Sequence, residues 1–277
     1  MKISKCYSCS SEQHTFYAEE NGYSLVKCDV CGLLFVENRP DDNEIVEAIK
    51  QGKHPGVKEL DVTGRYNPLK ISNYIKVLEE LFNKDLGGIK TWLDIGCGHG
   101  EFIMAIQKYS HGRISARGSE PNVHKQESAR ERGLDVGFFD IESHEEKYDA
   151  ISLLNVYSHL PDPPMFLELL KKLLKPGGEL ILQTGDAADL SVKDIPKPFL
   201  LPGHLSFASE KIVTGILERL GFDIIKVNKY PLLDKNFKSF AVELAKAILP
   251  NHVSLFKYYF KGKMPQIDMY IRARIKS

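Results

Sequence analysis

Apolar residues recur along this chain with two different periods, and the places where the period changes mark an alternation of strands and helices. Over 69–82, Ile71, Ile75, Leu78, Leu81 and Phe82 return every three or four positions, the pattern of an amphipathic helix. At 92–95, Trp92, Leu93 and Ile95 make a short apolar run of strand type, and helical spacing resumes over 101–109. Strands follow at 113–119 and 135–139, around a helix at 123–132 that Gly133 can cap, and then an apolar strand at 148–155. Further on come a helix at 166–174, a strand at 179–183, a helix at 209–220 closed by Gly221, and strands at 222–230 and 269–275. Seven strands near 92, 115, 136, 150, 180, 224 and 270, with helices between the early ones, predict an α/β fold: one sheet with helices on both faces.

Other stretches fall outside that alternation. Residues 1–40 hold four of the five cysteines and two short strand-like runs, at 23–26 and 33–36. Residues 41–68 are punctuated by Gly52, Pro55, Gly56, Gly64 and Pro68, which reads as a connecting region with one short helix at 44–50. Lys175-Pro176-Gly177-Gly178 reads as a turn feeding the strand at 179–183, and 184–203, rich in Asp and Pro, as a loop over a site. Residues 231–266 are too many for a hairpin turn, and Phe237, Phe240, Leu244, Ile248 and then Phe256, Tyr259 and Phe260 among lysines suggest two inserted helices. They would serve as a lid, a dimer contact or a membrane-surface patch. The chain thus divides into a leader (1–40), a linker (41–68) and a main domain (69–277) with a helical insertion at about 231–266.

With 277 residues and 43% hydrophobic content the chain can bury a substantial core, in one or two domains. No apolar run approaches the length of a membrane span and nothing resembles a signal peptide, so a soluble cytoplasmic protein is expected. The formal charge is zero, but it is unevenly spread: from Lys226 onward eleven Lys or Arg face three acids. That asymmetry suits an anionic partner, such as a phosphate-bearing small molecule, an anionic lipid surface or a nucleic acid, and equally a solvated face with no partner.

The leader carries Cys6-Tyr-Ser-Cys9 and Cys28-Asp-Val-Cys31-Gly. Two C-x-x-C knuckles at this separation match zinc-ribbon spacing, because each places two thiolates on one tight turn and the pair closes a tetrahedron. A cytosolic chain would keep disulfides reduced, and a redox C-x-x-C would not come in duplicate. With Cys6, Cys9, Cys28 and Cys31 all as ligands, no position is left for water, so the zinc is expected to be structural.

The chemistry of the main domain starts from Thr91 to Phe102, T-W-L-D-I-G-C-G-H-G-E-F. A strand that breaks into glycines and then a helix is a nucleotide-binding turn, since glycines let the backbone bend tightly and approach a ligand. Asp94, placed before the first glycine, would repel a pyrophosphate and suits a cofactor bearing a positive ammonium group. Glu120, at the end of the second strand about two dozen residues on, is where such a fold bonds ribose hydroxyls.

Residues 93–100, L-D-I-G-C-G-H-G, resemble the first motif of the class I S-adenosylmethionine (SAM) methyltransferases. The resemblance covers 69–230 and implies a Rossmann-like seven-stranded sheet binding SAM. Gly96, Cys97 and Gly98 would form the loop against the cofactor, with Glu120, Pro121 and Asn155 at neighbouring strand ends. Asp140 would accept from the adenine amino group and the Ile141 N–H would meet the ring. In that family a helix before the first strand commonly caps the cofactor site, and the K-P-G-G turn recurs. Many small-molecule methyltransferases carry a Glu-His pair after the fourth strand; here Ser158 stands in the Glu position and His159 follows. Bacterial methyltransferases of sugar and surface-polysaccharide pathways often carry a similar cysteine leader.

A sulfonium is already primed as a leaving group, so the protein must align the acceptor and remove its proton. For an alcohol acceptor a histidine is best suited near neutral pH, which singles out His159 and then His204. The first expectation is O-methylation of a sugar, nucleotide-sugar or similar metabolite. RNA methylation, with the ribbon aiding recognition, is an alternative, and a non-catalytic SAM-binding scaffold a third.

Overall fold

The computed structural model describes residues 1–231, 237–248, 260 and 266–276. The leader folds as a hairpin, β1 (His14–Glu20) and β2 (Tyr23–Cys28), with β3 (Leu34–Val36) antiparallel beside β2. Asn21 and Gly22 form the hairpin turn at φ of 56° and 83°, positive values that match a turn to the right-handed strand twist. β1 was not among the expected strands. It is an edge strand whose apolar residues do not all turn inward, and Phe16 is exposed.

The linker is more structured than its glycines and prolines suggest. Asp41 and Glu44 close a reciprocal capping box on α1 (Asp42–Gln51), and Gly52 ends the helix in the left-handed conformation at φ 73°. A two-residue hairpin, β4 (Lys53–His54) with β5 (Leu60–Asp61), follows.

The main domain begins with α2 (Leu69–Leu81) and runs through β6 (Thr91–Ile95), α3 (Glu101–Tyr109), β7 (Ser115–Ser119), α4 (Val123–Arg130) and β8 (Val136–Gly137). Then come β9 (Tyr148–Leu154), a 3-10 turn (Tyr157–His159), α5 (Pro163–Lys172), β10 (Leu174–Gly185) and β11 (Ser206–Phe207). The last elements are α6 (Glu210–Arg219), β12 (Phe222–Tyr230), α7 (Phe237–Ile248) and β13 (Asp268–Ile275). Seven strands form one sheet in the order β12-β13-β10-β9-β6-β7-β8, in which β13 runs antiparallel to both neighbours. Chain order reverses between β6 and β9, so the loops after β6, β7 and β9 leave the same edge of the sheet around a switch point, where open α/β sheets bind ligands.

Three expected boundaries change. The turn at Lys175–Gly178 is a bulge inside one long strand: β10 pairs Leu174 with Tyr148, breaks register, and resumes at Glu179 opposite Ala150, with Gly177 at φ 69°. The third strand shrinks to Val136–Gly137. The helix expected from 166 starts at Pro163, because the Asp162 side chain caps Met165 N and proline suits a first helical turn. Of the two helices expected in 231–266, α7 is the first; the second, around Phe256 and Tyr259, lies outside the described residues.

Alternation along β6 assigns the two cores. Trp92 faces α2 and α3 with Leu78, Leu81, Phe102 and Ile106, whereas Leu93 and Ile95 face the opposite layer with Leu167, Leu170 and Ile216. This second core continues without a break into Leu25, Leu34, Phe35 and Val36 of the leader. The leader's sheet also takes a fourth strand from the main domain: β11 pairs with β3, Ser206 opposite Phe35 and Phe207 opposite Leu34.

Candidate active site

A cavity of about 840 Å³ opens over the switch point, within the size range of small-molecule sites. One end is built from the strand ends: Ile95 and Gly96 after β6, Glu120 and Pro121 after β7, Ile141, and Asn155 and Val156 after β9. Gly96 has φ 66°, and a Cβ there would lie 2.4 Å from Val156 Cγ2, so only glycine lets these two loops close together. Glu120 is 4% exposed; its carboxylate accepts from Gly98 N (2.9 Å) and Asn122 N (3.0 Å), which aims it into the cavity with acceptor capacity to spare. That donor and acceptor set fits the ribose of a nucleoside cofactor.

The other predicted cofactor residues lie around this end rather than in its wall. Asp94 is buried just before the lining begins, and its Oδ1 accepts from Ser152 Oγ (2.5 Å), which itself accepts from Trp92 Nε1 (2.9 Å). Burial pushes the Asp94 carboxyl up to about 7; Ser152 opposes the shift, and nearby Glu120 and Glu101 add to it. Cys97 is buried against Gly118, where burial holds its thiol well above its usual range. Asp140 is exposed, and its carboxylate accepts from Glu142 N (3.2 Å) and Ser143 Oγ (3.0 Å) of its own loop.

The far end of the cavity draws its walls from elements outside the strand ends. Phe35 and Tyr7 come from the leader, Ile45, Val46 and Ile49 from α1, and Met165 and Phe166 from α5. The helix that roofs the cavity is therefore α1, not the expected one at 69–82, which packs on the sheet through Ile71, Val77, Leu78 and Leu81.

His159 lines the cavity. Its Nδ1 lies 2.6 Å from Gly203 O, and since a carbonyl only accepts, Nδ1 carries the proton and Nε2 keeps its lone pair. His204 lies behind it, rings 4.8 Å apart, with Nδ1 donating to Phe199 O (2.8 Å). Burial first, and then its neighbour His204, drive His159 down to about 3, so its ring is neutral. A third histidine, His54 on β4, is buried in the same wall and is also lowered by burial. It was missed because it sits in a Gly- and Pro-marked segment that reads as a linker. Lys125 lines the cavity too, within electrostatic reach of His54, His159 and the Asp61 carboxylate, and makes no close ion pair among the described residues.

The leader organises the histidine loop. The Glu20 carboxylate gathers the N–H groups of Phe199 (2.8 Å), Leu200 (2.6 Å) and Leu201 (3.2 Å), and Asn21 Nδ2 donates to Leu201 O (3.0 Å). Leu205 links both sides: its O accepts from Val36 N (2.9 Å) while its N donates to Ser158 O (2.7 Å).

Also in the leader, where Cys6 reaches the cavity wall, the sulfurs of Cys6, Cys9, Cys28 and Cys31 all lie within 4.8 Å of one another. Cys6 to Cys31 and Cys9 to Cys28 are 3.5 Å apart, too far for a disulfide. A tetrahedral zinc with bonds of about 2.3 Å would set its thiolates roughly 3.8 Å apart, so the cluster has the shape and donor chemistry to hold one.

Residues 66–227 match the family model described as a methyltransferase domain. The chain belongs to this methyltransferase family, and its fold is that of the class I SAM-dependent methyltransferases. Among relatives, the ubiquinone biosynthesis O-methyltransferase of Shewanella sp. is 29% identical over 135 residues, 45% of this chain and 56% of that protein. The protein of the same name from Pectobacterium atrosepticum is 30% identical over 205 residues, 62% of this chain and 81% of that one. The chain spans about half the length of the first of these curated relatives it matches. A SAM-dependent methyltransferase structure from Archaeoglobus fulgidus aligns with a TM-score of 0.53 at 18% identity, over 75% of this chain and 94% of that one.

Proposed function

We propose that this protein uses SAM to methylate a hydroxyl of a small acceptor bound between the strand ends and the leader. The observation that carries the reading is one cavity with the Glu120 carboxylate at its cofactor end and the proton-free Nε2 of His159, fixed by Gly203 O, in its wall. Bound SAM supplies an activated methyl on a positive sulfur. The protein's own part is to orient the acceptor, exclude water and take the hydroxyl proton at His159 Nε2, with His204 packed against that ring and His54 within electrostatic reach of it.

Burial keeps the His159 ring neutral, so Nε2 is free to accept a proton, and an acidic hydroxyl gives one up more readily than an ordinary alcohol. The acceptor end is mostly apolar, with Phe35, Ile45, Val46, Ile49, Met165 and Phe166 in its wall, and polar side chains such as Tyr7, Asp42 and Asp162 are the minority there, a poor match to the many hydroxyls of a sugar. Both facts favour an acceptor with an apolar body and an acidic hydroxyl over a sugar or nucleotide-sugar. The relatives named for O-methylation in ubiquinone biosynthesis support oxygen as the methylated atom. Lys125 would meet an anionic group on the acceptor. The roof formed by α1 suits a small molecule better than an RNA strand. Cys6, Cys9, Cys28 and Cys31 would hold a structural zinc. No helix among the described residues is long and apolar enough to cross a membrane.

The test is calorimetric titration with SAM and S-adenosylhomocysteine, then transfer of labelled methyl to phenolic, carboxylated and sugar acceptors. Cofactor binding with transfer to a phenolic acceptor, lost in His159→Ala, is expected. Absence of cofactor binding would overturn the reading, and transfer to a sugar alone would overturn the acceptor class.

A further inference from the structure

Among the described residues, one side-chain hydrogen bond fastens the roof over the acceptor end to the cofactor end. Asn122 follows Glu120 and Pro121 directly and is 2% exposed. Its N donates to Glu120 Oε1 (3.0 Å), its Oδ1 accepts from Lys125 N (3.0 Å) to cap α4, and its Nδ2 donates to Lys50 O (2.9 Å) in the last turn of α1. The carbonyls of a helix's last turn have no partner inside the helix, so the Asn122 amide satisfies one of them.

The junction is tight as well as bonded. A Cβ on Gly52, the residue that ends α1, would lie 2.7 Å from Thr63 Oγ1 and 3.0 Å from Asn122 Nδ2. The other side-chain hydrogen bonds of α1 stay within its own segment: Arg39 with Asp42, Asp41 with Glu44, Gln51 with Glu47. Among the described residues, Asn122 to Lys50 is the hydrogen bond that ties this helix to the sheet. The same helix presents Ile45, Val46 and Ile49 to the acceptor.

We propose that Asn122 is a positioning residue that couples cofactor binding at Glu120 to closure of α1 over the acceptor. Engagement of Glu120 by ribose hydroxyls holds the 120–122 turn still, and the Asn122 amide then holds the end of α1 in register. Asn122 touches neither ligand; it sets their order, cofactor first. The inference rests on the reading that Glu120 receives the cofactor.

The experiment is hydrogen–deuterium exchange of the full chain with and without saturating S-adenosylhomocysteine, followed over 42–51, with cofactor affinity measured by calorimetry. In the parent protein the ligand should slow exchange in α1 by about fivefold or more, the lower end of ordinary coupling between sites. Asn122→Ser keeps an oxygen to cap Lys125 N but cannot reach Lys50 O, and Asn122→Asp keeps the cap but presents an acceptor to that carbonyl. In both, slowing in α1 should fall below about twofold while affinity in the Ser variant stays within about threefold, because the Glu120 side chain is untouched. If the Asp variant fails to fold, the Ser variant alone decides. Equal slowing of α1 in the variants, or ligand binding to the parent without any slowing, overturns the coupling alone. Absence of binding to the parent overturns the reading beneath it.

Discussion

Glu20 accepts from Phe199 N at 2.8 Å, and Phe199 in turn gives its carbonyl to His204. The leader therefore reaches the histidines through two bonds, and Leu205 makes a parallel link from Val36 to the turn carrying His159.

Loss of the zinc proposed for Cys6, Cys9, Cys28 and Cys31 should accordingly be felt at the acceptor end. Cys28→Ser, or chelation, is expected to release one zinc per chain and raise the acceptor KM about tenfold or more, with S-adenosylhomocysteine affinity changed less than about threefold. Metal analysis with steady-state kinetics checks it, and zinc retained in Cys28→Ser would refute the cluster as the ligand set.

His159→Ala should lower kcat by roughly 10² to 10⁴ while leaving cofactor affinity intact, the usual range for a lost general base. Because the folded ring sits near 3, kcat/KM should show no acid limb at the ordinary histidine value near 6.5. The sign for stability follows. His54, His159 and His204 all titrate lower in the folded state, which binds fewer protons than the unfolded chain. Stability is untouched above about 6.5 and is lost as pH falls toward 3, a loss that His204→Gln should reduce in calorimetric melts.

Asp94 acts in the opposite sense. Its folded value near 7 exceeds the unfolded one of 3.8, so between them the empty native state binds the extra proton and stability falls as pH rises. The ammonium group of the ligand prefers the ionised carboxylate, so S-adenosylhomocysteine affinity should rise from pH 6 to 8. Asp94→Asn should flatten both trends, read as the parent-minus-variant difference by titration and melting.

Lys125→Met should weaken an anionic acceptor by about tenfold in KM, with less effect at high salt, and leave a neutral analogue unchanged. Equal losses for both would remove the charge from the account.

Much of the main domain was legible because its signals are local. Helical spacing marked 101–109 and the glycine loop marked the switch point, and both match α3 and the turn after β6. The hairpin in the leader also had a local signal, Asn21-Gly22, but the mixed pattern of β1, with Phe16 exposed at an edge, hid the strand beside it. What no local pattern carried was pairing at a distance. His54 joins His159 only when the linker folds over the sheet, and β3 meets β11 only when Ser206 arrives opposite Phe35. The K-P-G-G motif misled for a different reason: glycine at positive φ serves a bulge as well as a turn.

The pairing of β3 with β11 also sets a timetable. Some 170 residues separate Val36 from Ser206, so during synthesis the two cysteine knuckles emerge, and can load metal, long before the fourth strand exists. At about 5–20 residues per second the open edge of β3, with Leu34 and Phe35 behind it, waits roughly 10–30 s for its partner. The leader's strands are thus made well before the sheet they belong to can be finished.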